Sequence, residues 1–121
     1  MTQYLLSMPG DEKVWDTFSP EQRQDVMAVH GKFRQLLEER GHRLVTTAGL
    51  APSSEALVVR GSLDDVSVTE GPYAETVEQV TGFYLVESDD LEDLLQVCGL
   101  IAGTGLPIEV RRTITDPAVE R

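Results

Sequence analysis

The sequence contains little cysteine, little positive charge and no long apolar run. Cys98 is the single cysteine, so the chain can form neither an internal disulfide nor a cysteine-based zinc site. Lys and Arg together number 10 against 21 Asp and Glu, and they form no cluster that would attract a phosphate backbone. No apolar run is long enough to span a membrane, and the N-terminus lacks the basic region of a secretory signal. These absences predict a cytoplasmic protein that binds neither nucleic acid nor membrane.

The composition that remains is ordinary for one globular domain. Apolar residues make up 40% of the chain and charged residues 26%, and 121 residues suffice to bury a core without disulfides or metal. We predict an α+β domain over residues 1–115. Turn-forming and charged residues follow, which predicts a flexible C-terminal tail over residues 116–121.

Two helices are predicted from capping residues and apolar spacing. Ser19 is a suitable N-cap, Pro20 fits the first helical position and Gln22 completes a capping box. This helix is expected to end at Arg40, before Gly41. For the second helix we expect Asp89 as the cap and Glu92 three residues further on. Its buried face is predicted to consist of Leu91, Leu94, Leu95, Cys98 and Ala102.

Extended segments are predicted at residues 4–8, 42–50, 56–60, 66–69, 82–87 and 108–112. Together with the helices they give a ferredoxin-like βαββαβ order with an additional hairpin in the middle. In this fold the antiparallel sheet has both helices on one face.

The strand at residues 82–87 predicts a partner for the other face of the sheet. Phe83, Tyr84, Leu85 and Val86 are apolar at successive positions, so both faces of this strand are expected to be buried. Helices cover only one face, and a second copy of the sheet packed against the other predicts a homodimer. The alternative is a monomer whose open face is closed by the middle hairpin.

The most distinctive segment is E-G-P-Y-A-E-T-V-E at residues 70–78, here named the signature loop. It resembles the D-G-P-F-x-E-x-K-E pattern of the YCII-related proteins. Further similarities occur in the family's order at residues 4–6, 15, 19–21, 49–52, 82–85, 89–91 and 108–111. The resemblance implies a dimeric α+β barrel built from two ferredoxin-like subunits. Val77 stands where the family commonly has lysine, and valine can neither pair with a carboxylate nor hold an anion.

Five residues in and near the signature loop are predicted to line a ligand cleft: Glu70, Tyr73, Glu75, Glu78 and Tyr84. Neighbouring carboxylates can act as acid and base or bind a cation, whereas the structural alternative is that Glu75 or Glu78 pins the loop by accepting backbone N–H bonds. The tyrosines would supply apolar walls with polar tips, or pack in an interface.

His30 and Glu75 are the candidate catalytic residues. His30 lies at the edge of the first helix's apolar face, where it serves either as an acid/base group or as a hydrogen-bonded core-edge side chain. His42 is expected to be solvated, and Cys98 to be a core residue rather than a nucleophile. The His–Asp pair suspected in a better-studied branch of the family is not assigned to residues here, so the resemblance transfers no hydrolase activity. No cofactor and no metal site is predicted.

Three functions therefore remain open. The leading hypothesis is a small homodimeric protein that binds a small organic molecule beside the signature loop. The second is an enzyme using acid/base chemistry, which requires His30 or a tyrosine to converge with a carboxylate in one pocket. The third is a regulatory accessory protein acting through protein contacts, which predicts an exposed apolar patch.

Overall fold

The computed structural model describes residues 1–116 and Ala118, so most of the predicted tail lies outside the described residues. Its elements in chain order are β1 (Thr2–Asp11), α1 (Glu12–Asp16), α2 (Pro20–Glu39), β2 (Arg43–Gly49), a 3₁₀ turn (Ser53–Glu55), β3 (Leu57–Ser62), β4 (Asp65–Glu70), β5 (Glu78–Ser88), α3 (Leu91–Ala102) and β6 (Glu109–Arg112). No helix in the described part of the chain is both long and apolar enough to cross a membrane.

Four of the strands form one antiparallel sheet in the order β2-β5-β1-β6. β3 and β4 form a separate two-stranded ribbon, inserted between β2 and β5. This is the ferredoxin-like α+β fold with an additional hairpin, and the predicted fold class is confirmed.

The start and end of α2 follow the sequence signals. Ser19 Oγ accepts a hydrogen bond from the Gln22 backbone N–H at 3.1 Å, and the Ser19 N–H donates to Gln22 Oε1 at 2.8 Å. At the other end Gly41 has a φ of 81°, a left-handed conformation that glycine adopts at little cost. The predicted capping box and glycine stop are therefore confirmed.

The predictions for α3 were partly wrong: Leu94 and Cys98 are buried as expected, whereas the cap and the rest of the buried face differ. Its N-cap is Asp90, not Asp89, and the Asp90 carboxylate accepts from the Asp93 N–H at 3.1 Å. The buried face consists of Leu94, Val97, Cys98 and Ile101, whereas Leu91, Leu95 and Ala102 are exposed. Adjacent helical residues differ by about 100° around the axis, so a small error in register selects a different face.

The core lies between the two long helices and one face of the sheet. The sheet contributes Tyr4, Leu6, Tyr84 and Val86, and the helices contribute Phe33, Leu37, Leu94, Val97, Cys98 and Ile101. Burial raises the pKa of the Cys98 thiol to about 11, as befits a core residue.

The other face of the sheet is less covered. Phe83 and Leu85 remain half-buried, and Leu5, which pairs with Leu85, is exposed. The ribbon does not close this face, because its own apolar side chains, Leu57, Val59, Val66 and Val68, are 54–64% exposed. In the described part of the chain the hairpin therefore does not close this face, and the homodimer stays a prediction.

Candidate functional site

The signature loop leaves β4 through a turn that depends on glycine. Gly71 has a φ of 101°, and its N–H donates to the Ala56 carbonyl at 2.7 Å. A residue with a side chain is disfavoured at that backbone angle. Gly71 therefore turns the chain back towards the start of β3, and Pro72 then fixes the direction of the loop.

The loop is held by an amide and a hydroxyl rather than by carboxylates. Gln79 Nε2 donates to the Ala74 carbonyl at 2.8 Å and to the Thr76 carbonyl at 3.1 Å. Thr76 Oγ1 donates to the Glu78 carbonyl at 2.6 Å. Across residues 1–116, the carboxylates of Glu75 and Glu78 accept no hydrogen bond. The prediction that one of them pins the loop was wrong.

A groove of about 730 Å³ runs beside the signature loop. The end of β1, the start of α1, the 3₁₀ turn and the loop form its walls. Its lining residues are Asp11, Glu12, Lys13, Ser53, Ser54, Glu70, Gly71, Pro72, Glu75, Thr76, Val77 and Gln79. Four of these residues are acidic and one is a lysine, so the lining of the groove carries a net negative charge.

Two of the four carboxylates have structural roles. Asp11 caps α1 by accepting from the Lys13 N–H at 3.0 Å. Glu12 accepts from the Ser53 N–H at 2.7 Å and from the Ser53 hydroxyl, which ties α1 to the 3₁₀ turn. The carboxylates of Glu70 and Glu75 have no hydrogen-bond or ion-pair partner within the described part of the chain. Two carboxylates in the groove are therefore available to a ligand.

The five predicted ligand-binding residues are only partly brought together. Glu70 and Glu75 share the groove, whereas Glu78 lies outside it at the start of β5. Tyr73 is 84% exposed, and its ring lies 5.8 Å from the guanidinium carbon of Arg60. Tyr84 is 2% exposed in the core, because strand alternation places it on the same face as Val86.

Tyr84 instead meets the candidate base His30. Its hydroxyl lies 2.7 Å from His30 Nδ1 and accepts from Arg34 Nη1 at 3.4 Å. Burial raises the pKa of Tyr84, so its hydroxyl keeps its proton. Burial, and then the charge of Arg34, lowers the pKa of His30. His30 is thus a neutral core-edge histidine, and no carboxylate among residues 1–116 forms a hydrogen bond or ion pair with it.

His42, expected to be solvated, is 5% exposed. The Gly41 N–H donates to the Glu38 carbonyl and the His42 N–H to the Leu37 carbonyl, which is a Schellman motif. This motif turns residue 42 back against the helix. Gly41 was recognised as the end of the helix. That the motif at this glycine would turn the His42 side chain into a buried position was not predicted.

His42 connects three elements through hydrogen bonds. Its Nε2 lies 2.7 Å from Asp93 Oδ2, and its Nδ1 lies 2.8 Å from Ser88 Oγ. Ser88 Oγ also accepts from the Asp90 N–H at 3.0 Å. The Asp93 carboxylate accepts the proton of His42 Nε2. The bond from His42, followed by that from Arg40, lowers the pKa of Asp93.

This Ser–His–Asp order does not constitute a nucleophilic site. Ser88 is 1% exposed, so a substrate has no access to its hydroxyl. The cluster instead joins the end of α2, the end of β5 and the first turn of α3. A second cavity, of about 410 Å³, lies above it and is lined by Arg34, Gln35, Glu38, His42, Arg43 and Leu44. Among the described residues, no group of three or more His, Cys, Asp or Glu side chains is arranged to hold a metal ion.

The fold and the glycine-proline loop define a ferredoxin-like α+β protein with an inserted ribbon and a groove beside the signature loop. The chain belongs to the YCII-related domain family, whose model matches residues 2–99. A protein of Rhizobium meliloti (strain 1021), described only as uncharacterized, is 34% identical to it over 92 residues. That alignment covers 76% of this chain and 73% of the relative. The resemblance inferred from the signature loop is confirmed.

Proposed function

We propose that the protein is a cytoplasmic homodimer that binds a small, positively charged organic molecule in the groove beside the signature loop. The observation that carries this proposal is the presence of two unpartnered carboxylates, Glu70 and Glu75, in a groove of about 730 Å³. Ligand sites typically have volumes of about 300–1,000 Å³ and a few convergent polar groups. The volume of the groove falls within this range, and two unpartnered carboxylates are among its lining residues.

The charge of the groove selects the class of ligand. Lys13 is the single basic residue of its lining, so a bound anion would meet net negative charge. A protonated amine would be attracted by both carboxylates and would donate hydrogen bonds to them. Pro72 and Val77 add apolar wall, which suits an amine with a short carbon skeleton.

The positions of the candidate catalytic groups favour binding over acid/base catalysis. Glu75 lies in the groove, whereas His30 is held against Tyr84 beneath α2. Catalysis by this pair requires both groups within hydrogen-bond reach of one substrate. The groove residues contain no histidine or tyrosine that would replace His30.

The homodimer is supported by the open face of the sheet. Leu5 is exposed there, and Phe83 and Leu85 are half-buried although both belong to the apolar run of β5. Apolar side chains on an uncovered sheet face favour association with a second surface. A second copy supplies that surface without any further component.

A thermal-shift panel at low ionic strength tests the ligand class. The panel contains primary amines, and alcohols and carboxylic acids of matched size. We expect amines alone to raise the melting temperature. The shift should disappear in the double variant Glu70→Gln/Glu75→Gln and persist in Glu78→Gln, a matched carboxylate outside the groove. The proposal fails if no amine stabilises the protein, or if carboxylic acids stabilise it equally.

A further inference from the structure

One face of the β3–β4 ribbon is apolar and ends in a carboxylate. Val59 pairs with Val68 and Leu57 with Glu70, and residues directly opposite each other in an antiparallel pair have their side chains on the same face. Val66 shares this face, because side chains alternate along a strand. The four apolar residues are 54–64% exposed, and the surface they form is here named the apolar ribbon face. It therefore runs along the ribbon and reaches Glu70 at the end of β4.

Glu70 belongs both to this face and to the groove beside the signature loop. It is the last residue of β4 and one of the lining residues of the groove. The next residue, Gly71, donates its N–H to the Ala56 carbonyl at 2.7 Å, which closes the base of the ribbon beside the loop. The Glu70 carboxylate has no hydrogen-bond or ion-pair partner within the described part of the chain. The groove and the apolar ribbon face are therefore adjoining parts of one surface.

The composition of the groove shows what the ribbon adds to it. Ligand sites in proteins are lined predominantly by apolar side chains, with a few polar groups that fix the orientation of the ligand. Most lining residues of the groove are polar or charged, and its apolar side chains are Pro72 and Val77. The groove thus supplies the polar part of a typical site, and the ribbon supplies the apolar part that the groove lacks.

We propose that the ligand is an amphipathic amine, with its ammonium group at the groove carboxylates and an apolar tail on the apolar ribbon face. This inference rests on the proposed function and narrows its ligand class: the short carbon skeleton within the groove continues as a tail along the ribbon. Glu70 and Glu75 accept hydrogen bonds from the ammonium group. The tail covers Leu57, Val59 and Val68 and removes apolar surface from water. Charge at one end and apolar surface along the rest match the two parts of the site.

The dimensions of the face set the expected effect of the tail. With a rise of about 3.3 Å per residue, the four steps from Glu70 back to Val66 span about 13 Å. Full burial of one methylene group strengthens binding about fourfold. An open face covers about half of the tail, so each methylene in contact should strengthen binding about twofold.

Linear amines of different length separate the tail site from the groove. Isothermal titration calorimetry at low ionic strength compares propylamine, hexylamine and hexanol. We expect the Kd of hexylamine to be about 8-fold lower than that of propylamine, from three methylenes at about twofold each, and hexanol to bind much more weakly than hexylamine. Equal Kd values for the two amines overturn the inference but leave the proposed function standing. No binding of either amine, or hexanol binding as tightly as hexylamine, overturns both.

Valines on opposite faces of the ribbon provide matched variants. Val58 pairs with Thr69 and lies on the face opposite to Val59 and Val68. Replacing valine by threonine keeps the β-branched shape that suits a strand and exchanges a methyl group for a hydroxyl. The double variant Val59→Thr/Val68→Thr should bring the Kd of hexylamine close to that of propylamine, whereas Val58→Thr should retain the 8-fold ratio. The same ratio in both variants contradicts the inference.

A second copy of this chain is the alternative occupant of the face. In methyl NMR spectra we expect the signals of Leu57, Val59 and Val68 to shift with hexylamine and to stay in place with propylamine. If these signals shift on dilution of the protein alone and do not respond to hexylamine, another chain covers the ribbon and the inference is overturned.

Discussion

Replacing His42 by alanine should destabilise the protein more than any change at its other histidine. His42→Ala removes a bond to the charged carboxylate of Asp93 and a bond to Ser88. A hydrogen bond to a charged group contributes about 1.5–3 kcal/mol and a neutral one about 0.5–1.5 kcal/mol. Loss of the buried ring also leaves a cavity beneath α2. We expect the free energy of unfolding to fall by about 3–5 kcal/mol, a large part of the total of a typical domain.

The assay is urea unfolding at one fixed protein concentration and pH 7.5, because the proposed homodimer would make stability depend on concentration. His30→Ala is the comparison and should cost less, since His30 is only half-buried. Asp93→Asn keeps an oxygen that accepts the imidazole proton, so it should cost less than His42→Ala. A loss below about 1 kcal/mol for His42→Ala, or an equal loss for His30→Ala, would refute the structural role assigned to His42.

Two further predictions concern His30 and the signature loop. In the folded protein the pKa of His30 is below its usual 6.5, so the unfolded chain binds a proton on this imidazole more readily. The contribution of the neutral imidazole to the free energy of unfolding is therefore complete above about pH 6.5. It falls as the pH drops from there towards the lower pKa of the folded state. His30→Gln should therefore lose less stability than the wild type between pH 7.5 and pH 5, measured by urea midpoints, and an equal loss would contradict the neutral histidine. Gln79→Ala removes both side-chain bonds to the loop carbonyls and should increase proteolytic cleavage within residues 71–77 by about 10-fold, corresponding to about 1.4 kcal/mol of local opening. Glu75→Gln should leave cleavage unchanged, and the pinning role of Gln79 fails if the two variants behave alike.

The fold could be predicted because its signals are local and periodic. The capping box at Ser19, the Gly41 stop and the apolar alternation of the strands each act over a few residues. The signature loop then connected these elements to one family. The register of α3 was missed because Asp89 and Asp90 are both acceptable caps, and the choice depends on packing of the resulting face.

The site was only partly predictable, because it depends on where side chains point after the chain has turned. Glu70 and Glu75, which were predicted from the loop sequence, both lie in the lining of the groove. Tyr84 was assigned to the loop because it is close in sequence, but strand alternation directs it to His30 on the other side of the sheet. His42 was assigned to solvent because it is polar and follows a helix, yet its partners Ser88 and Asp93 lie 46 and 51 residues further along the chain. A pattern of neighbouring residues in the sequence cannot predict hydrogen-bond partners that lie so far along the chain.

The most direct test of the central claim is an NMR titration of isotope-labelled protein with the amine that stabilises it most. We predict the largest amide shifts at residues 11–13, 53–54, 70–72, 75–77 and 79, which line the groove. We also predict little change around the cavity lined by Arg34 and Arg43. Shifts centred on that second cavity, or no saturable shift at all, would contradict the assignment of the groove as the ligand site.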